Sequence, residues 1–170
     1  MTLEVRRLRE EDDRSDFHSG SVELDRFFIR FAGQNQFRHH LGVTYVAVEG
    51  SRVHGFVTLA AAELEITGLP AKQRKGLPNY PLPALRIARL AVDEASQRRV
   101  IGGELLKAAF LIAGELAQKV GCIGLVVDAK PGASRFYADY GFEHVEVVQG
   151  ELGFRPTLQT MFLPLRAIPS

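Results

Sequence analysis

Between residues 85 and 127 the chain spells an apolar strand, a long amphipathic helix and a second apolar strand, and this order constrains the fold more than any other feature. Leu85 to Val92 is aliphatic apart from Arg86 and Arg89. Gly103 to Val120 carries Leu105, Leu106, Ala109, Ile112, Ala113, Leu116 and Val120 on one helical face, and Gly121 follows as a stop. Cys122-Ile-Gly-Leu-Val-Val127 has the length and composition of a buried strand. Strands joined by a helix of that length lie side by side as a parallel pair, because a hairpin cannot bridge them.

The flanking segments predict antiparallel strands around that pair. Leu3 to Leu8 suits a short edge strand, and Val43–Val48 and Val53–Leu59 are β-branched and aromatic runs joined by Glu49-Gly50-Ser51-Arg52, a hairpin pattern. Ala60 to Ile66 reads as a further strand, as do Val145–Val148 and Thr160–Leu165. From Ser21 to Phe37, Leu24, Phe27, Phe28 and Phe31 recur at helical spacing, Glu23 and Asp25 occupy the first turn, and Gly42 is the expected stop. Pro70, Pro78, Pro81 and Pro83 predict a loop or short helix over 68–84, and Ala133–Tyr140 a short helix before Gly141. The expected fold is α/β (α+β): a mixed sheet with a central parallel pair, flanked by helices. At 170 residues, with 46% hydrophobic content and no linker or repeat, residues 1–170 read as one domain.

A formal charge of +1 gives no bulk attraction to polyanions, so any phosphate affinity must come from local clusters. Three exist: Arg26, Arg30, Arg38, His39 and His40; Lys72, Arg74 and Lys75; and Arg86, Arg89, Arg98 and Arg99. The single Cys122 excludes an internal disulfide and fits a reducing compartment. The charged N-terminus lacks the apolar stretch of a signal peptide and no apolar run reaches membrane-spanning length, so a cytoplasmic location is expected.

The connection Gln97-Arg-Arg-Val-Ile-Gly-Gly103 lies between the first strand and the helix. A helix start exposes backbone N–H groups and partial positive charge, and glycines let a ligand approach, so the amides of Arg98, Arg99, Val100, Ile101, Gly102 and Gly103 can bind phosphate. A tight turn with solvated arginines would leave the same residues. The phosphate-loop pattern Gly-x4-Gly-Lys-Ser/Thr and the dinucleotide pattern Gly-x-Gly-x-x-Gly are both absent, and no acidic metal partner accompanies the corner, so neither an NTPase nor a metal site is expected.

Leu90-Ala-Val-Asp93 followed by Gln97 and Gly102 resembles the central signature of the GNAT superfamily of acetyl-CoA-dependent N-acetyltransferases, Gln/Arg-x-x-Gly-x-Gly/Ala, with Val100 where the first glycine is usual. Ser134-Arg-Phe-Tyr-Ala-Asp-Tyr-Gly-Phe142 resembles the second block of that superfamily. The segments Phe17–Phe27, Ala32–Gln36, Thr44–Val48, Arg89–Asp93, Val127-Asp128 and Met161–Leu165 are similar to the TacT-like branch, whose members act as toxins in bacterial toxin–antitoxin modules.

The resemblance implies that the sheet is mostly antiparallel, that its central parallel pair splays apart and that acetyl-CoA lies in the gap. Its pantetheine arm would run along the backbone of Leu90, Ala91 and Val92, its diphosphate at Gln97–Gly103, with Ser134 and Phe136 adding contacts. The Leu90 N–H would hold the thioester oxygen, where negative charge grows during attack. Tyr137, at the place of the family's Phe-Tyr tyrosine, would protonate the departing thiolate. A phenol with an ordinary pKa of about 10 carries its proton at neutral pH.

The branch acetylates the α-amine of aminoacyl-tRNA. That amine ionises near 7.7–8.0 or below, so it needs no dedicated base, whereas a lysine amine near 10.4 would. Arg86, Arg89, Arg98, Lys72, Arg74 and Lys75 could form the positive surface for the tRNA, across a homodimer, and a ribbon-helix-helix antitoxin is the partner implied. Glu63, Glu65, His54 and His144 are weaker candidates for a base, better read as surface carboxylates and satisfied histidines. Cys122, without a partner histidine in sequence, reads as packing. Two alternatives stay open: acetylation of a small-molecule or protein amine, and a catalytically silent acyl-CoA-binding module, which Val100 motivates.

Overall fold

The computed structural model describes residues 2–65, 69, 71–97, 99–145 and 159–169. Seven strands form one sheet: β1 (Glu4–Arg7), β2 (Val43–Glu49), β3 (Arg52–Leu64), β4 (Leu82–Val92), β5 (Gly124–Ala129), β6 (Glu143–His144) and β7 (Gln159–Pro164), in the order β1-β2-β3-β4-β5-β7-β6. β1–β2, β2–β3, β5–β7 and β6–β7 are antiparallel. The neighbours β4 and β5, joined through the long helix, are the parallel pair. The helices are α1 (Val22–Arg26), α2 (Ala32–Phe37), α3 (Ala71–Arg74), α4 (Ile101–Lys119) and α5 (Ser134–Asp139). The chain divides into two compact units, Met1–Ala60 with Ile87–Leu111, and Ala61–Arg86 with Ile112–Ser170.

In the first unit the core is aromatic. Phe28 stacks on Phe56 at 4.3 Å, and Phe17 meets both edge-on. Leu8, Ala32, Val46, Val48, Val53 and Ala91 pack around them. Buried Gln36 gives Nε2–H to the Leu8 carbonyl at 3.1 Å and accepts the Thr44 amide at 2.8 Å, fastening β1 and β2 to α2.

The expected helix over 21–37 forms with a fault in it: Phe27–Phe31 is π-helical, the Ala32 amide bonding back to the Phe27 carbonyl. A π turn holds an extra residue and rotates the next turn of helix about its axis. Phe27 and Phe28 are buried and Ala32 turns inward, while Phe31, expected on the same face, is 40% exposed. The helix stops at Phe37, not at Gly42, and His40 makes the turn with φ 54°. Gly42 answers to space: a Cβ there would come 2.9 Å from the Leu59 carbonyl oxygen.

The β2–β3 hairpin turns at Gly50-Ser51 as expected, with Gly50 at φ 59°. Its ladder slips between Ala47, opposite Gly55, and Val48, opposite Val53. His54 is therefore the extra residue of a β-bulge, a feature that re-aims side chains. The expected strand after Ala60 is the continuation of β3 to Leu64, Ile66 lying outside the described residues.

In the second unit Leu69, Ala84, Val126 and Phe162 form a core, and β5 and β7 pair from Gly124–Pro164 to Ala129–Gln159. β5 starts at Gly124, not Cys122, because Gly124 lies so close to Leu163 that any Cβ would collide with its carbonyl. β4 begins at Leu82 despite Pro83, which lacks an N–H but accepts the Ile123 amide through its carbonyl at 2.9 Å. β6 lies just before the expected strand 145–148; Val145 is not part of β6, and 146–148 lie outside the described residues.

Candidate active site

The corner after β4 is built by short-range hydrogen bonds that leave little freedom. Asp93 opens a 3-10 turn, Glu94–Ser96: its Oδ1 accepts the Ala95 amide at 3.0 Å, its carbonyl accepts the Ser96 amide at 2.8 Å, and its Oδ2 accepts the His18 amide at 3.1 Å. Gln97 donates Nε2–H to the carbonyls of both Val92 and Ser19 at 3.0 Å, so the signature glutamine acts as a staple.

α4 begins at Ile101, two residues earlier than periodicity predicts, because the Ile101 side chain is buried at 1% exposure and draws Gly102 and Gly103 into the first turn. The Glu104 amide is the first to bond back, to the Val100 carbonyl at 3.1 Å. Among the described residues the amides of Ile101, Gly102 and Gly103 have no helical acceptor, and they keep the anion-binding potential of a helix start. Arg99 differs from expectation. Its amide bonds to the Ser96 carbonyl at 3.0 Å, and its Nη1 donates to Glu49 at 2.6 Å. Val100 is 76% exposed, and Arg98 lies outside the described residues. On β4, Ala91 is buried and Leu90 and Val92 are half-buried.

A histidine that sequence reasoning ranks low turns out to be central to this unit. His54 is 5% exposed, with Nδ1 2.6 Å from Ser96 Oγ and Nε2 2.8 Å from Glu49 Oε1, the second contact short but poorly aligned. Its partners stand 5 and 42 positions away, and a β-bulge aims it, so no local pattern announces it.

In the second unit α5 carries the family tyrosine. Tyr137 is 6% exposed, held edge-on by Phe136 at 5.1 Å and Phe142 at 5.4 Å. Burial pushes its hydroxyl pKa up to about 12, which keeps the phenol protonated at neutral pH. Ser134 and Phe136 are half-buried on the same helix.

Of the cations expected to meet substrate, Arg86 is paired with Asp128 at 2.8 Å and Lys72 with Glu143 at 3.1 Å. Arg74 and Lys75 are exposed and form no ion pair among the described residues. Glu63 and Glu65 are exposed. Cys122 is buried and gives its S–H to the Gly124 carbonyl at 3.2 Å, a packing role as expected. Among the described residues no group of acidic, His and Cys side chains could hold a metal.

A sheet with one parallel pair, followed by an amide-presenting helix start and a short tyrosine-bearing helix, defines a GNAT-type acyltransferase. The chain belongs to the GNAT acetyltransferase family, whose domain matches residues 40–144. It is 32% identical over 141 residues to a tRNA-acetylating toxin of Mycobacterium tuberculosis (strain ATCC 25618 / H37Rv), covering 81% of this chain and 82% of that protein. Among solved structures, AtaT complexed with acetyl-methionyl-tRNAfMet superposes with a TM-score of 0.85 at 24% identity, covering 98% of this chain and 96% of that one. AtaTR bound with AcCoA does so at 0.75 and 26% identity, covering 97% and 95%.

Proposed function

We propose that this protein transfers the acetyl group of acetyl-CoA to the α-amine of an aminoacyl-tRNA, and that residues 1–170 work as one catalytic domain. The observation that carries the acetyl-CoA part is the start of α4, where among the described residues the amides of 101–103 have no helical acceptor and Val100 stands open beside them. The kinship with the mycobacterial toxin, over four-fifths of the chain, supports the tRNA part. The family match spans residues of both compact units, and β3, β4 and α4 each belong to both, which supports a single domain.

In this reading the first-turn amides of α4 hold the diphosphate, and the backbone of Leu90, Ala91 and Val92 lines the pantetheine arm. The Leu90 N–H stabilises the oxyanion. The neutral amine attacks the thioester carbon, the C–S bond breaks, and the thiolate takes the proton of Tyr137. The acetylated nitrogen releases its own proton to solvent, from which Tyr137 is restored. Ser134 and Phe136 contact the donor, and Arg89, with Arg74, Lys75 and Arg98, guides the tRNA. A homodimer, a ribbon-helix-helix antitoxin and a cytoplasmic location complete the proposal. Among the described residues no helix is long and apolar enough to cross a membrane.

Val100 is the one feature favouring a silent acyl-CoA-binding module, and its exposure keeps the side chain off the packed first turn. Incubation with labelled acetyl-CoA and a pool of charged tRNA decides: label on an aminoacyl end is expected. Label on a polyamine or peptide alone rejects the tRNA acceptor, and binding without any transfer rejects the enzyme.

A further inference from the structure

The corner that precedes α4 is braced from the hairpin by a closed ring of four residues. Glu49 Oε1 meets His54 Nε2 at 2.8 Å, His54 Nδ1 meets Ser96 Oγ at 2.6 Å, the Ser96 carbonyl accepts the Arg99 amide at 3.0 Å, and Arg99 Nη1 returns to Glu49 Oε1 at 2.6 Å. Two members come from the ends of β2 and β3, and two from the corner itself. The ring closes only because the bulge turns His54 toward Ser96.

A nearly buried imidazole costs less when a nitrogen is hydrogen-bonded, as Nδ1 is to Ser96, and a carboxylate beside the other offsets part of the rest. Nδ1 shares a hydrogen bond with the Ser96 hydroxyl, and Nε2 faces the Glu49 carboxylate off-axis. Serine, histidine and glutamate in series also suggest a hydrolase, but Ser96 is 2% exposed and cannot reach a substrate. A nucleophile buried that far is a strut. Arg52 lies 3.7 Å from Asp93, and no other charged side chain among the described residues is tied to the ring or to this turn except Glu94, which faces His18 at 3.2 Å.

We infer that Glu49, His54 and Ser96 are positioning residues for the nucleotide half of acetyl-CoA: through Arg99 they fix where the first-turn amides of α4 point. This inference rests on the acetyl-CoA reading of the helix start. Arg99 is two residues before Ile101, so a rotation of its peptide re-aims the donors that would meet the diphosphate. Its charge is spent on Glu49, and it contributes through the main chain.

The test compares two donors with the same thioester, acetyl-CoA and S-acetylpantetheine, which lacks the diphosphate and nucleoside. Calorimetry gives Kd, and turnover with charged tRNA gives kcat and KM, for the wild type, His54→Asn and Glu49→Gln. Both variants are expected to weaken acetyl-CoA roughly tenfold, to leave S-acetylpantetheine within about twofold, and to keep kcat at saturating acetyl-CoA, since misplaced donors cost binding and orientation. Glu49 is half-buried at a hairpin end, so Glu49→Gln serves if His54→Asn does not fold. Equal losses for both donors, or none for either, in variants that melt like the wild type would overturn the inference alone. A wild type with no preference for acetyl-CoA would overturn the acetyl-CoA reading together with it.

Discussion

The guanidinium carbon of Arg89 lies 3.8 Å above the centre of the Phe27 ring, and among the described residues no carboxylate pairs with it. Burial lowers its pKa from the ordinary value without neutralising it. Arg86 and Lys72 are already answered by Asp128 and Glu143, whereas Arg89 lies over an aromatic face with no carboxylate beside it among the described residues.

Arg89→Ala should therefore weaken charged-tRNA binding and reduce the slope of log affinity against log salt by about one, as expected for one phosphate contact. Arg86→Ala should change the slope less. Filter binding across a salt series separates them, and equal slopes for both variants would remove Arg89 from the tRNA surface. Phe27→Leu, which removes the ring, should produce a smaller loss, a cation–π contact being worth about 0.5–2 kcal/mol.

Tyr137→Phe should lower turnover by roughly 10²–10⁴-fold while leaving acetyl-CoA affinity near the wild-type value, as for a proton donor that does not hold the ligand. Its raised pKa also has a sign for stability. Below the ordinary value of 10 both folded and unfolded chains keep the proton, so the contribution is intact. Above it the unfolded chain ionises first, and stability falls as pH rises toward about 12. Tyrosinate absorbance followed during alkaline unfolding should show one phenol that ionises only with loss of the fold.

Arg6 and Asp12 form a two-pronged pair, both contacts at 2.8 Å, and Asp12 also accepts the Arg9 amide at 2.8 Å. The Arg6 hydrogen bond holds the carboxyl below its ordinary range. A lowered pKa stabilises the fold above the ordinary carboxylate value, and that stability is lost as pH falls through the folded one. Asp12→Asn should cost roughly 1–2 kcal/mol near neutrality, and the gap to the wild type should close in acid. Urea melts at neutral and acid pH check both halves.

Gly55→Ala should disturb the helix start directly. The added Cβ would sit 2.9 Å from Ile101 Cγ2 and 3.0 Å from the Ala91 carbonyl oxygen, closer than packed carbons allow. A loss of about 1–3 kcal/mol is expected in thermal melts, with weaker acetyl-CoA binding in calorimetry. Unchanged melting would mean that α4 shifts freely on β3.

The strand-helix-strand core was legible because a period of 3.6 runs unbroken from Leu105 to Val120 between two largely apolar segments. The element ends moved where burial outvoted local propensity, as with Ile101 ahead of Gly102. Two single-residue insertions escaped, the π turn at Phe27–Phe31 and the bulge at His54, because an extra residue changes no composition and leaves each neighbouring period intact. Ion pairs escaped for another reason. Arg99 reads as a rim cation until Glu49, fifty positions away, is seen beside it.

The bulge also decides where this chain can be re-engineered. Gly50 and Ser51 are exposed beyond the Glu49–Arg52 rung, so a peptide tag spliced between them would project from the tip and leave the brace untouched. Deleting His54, the extra residue, would leave a regular ladder with Val48 still opposite Val53 and Glu49 opposite Arg52, and would take the imidazole out of the brace.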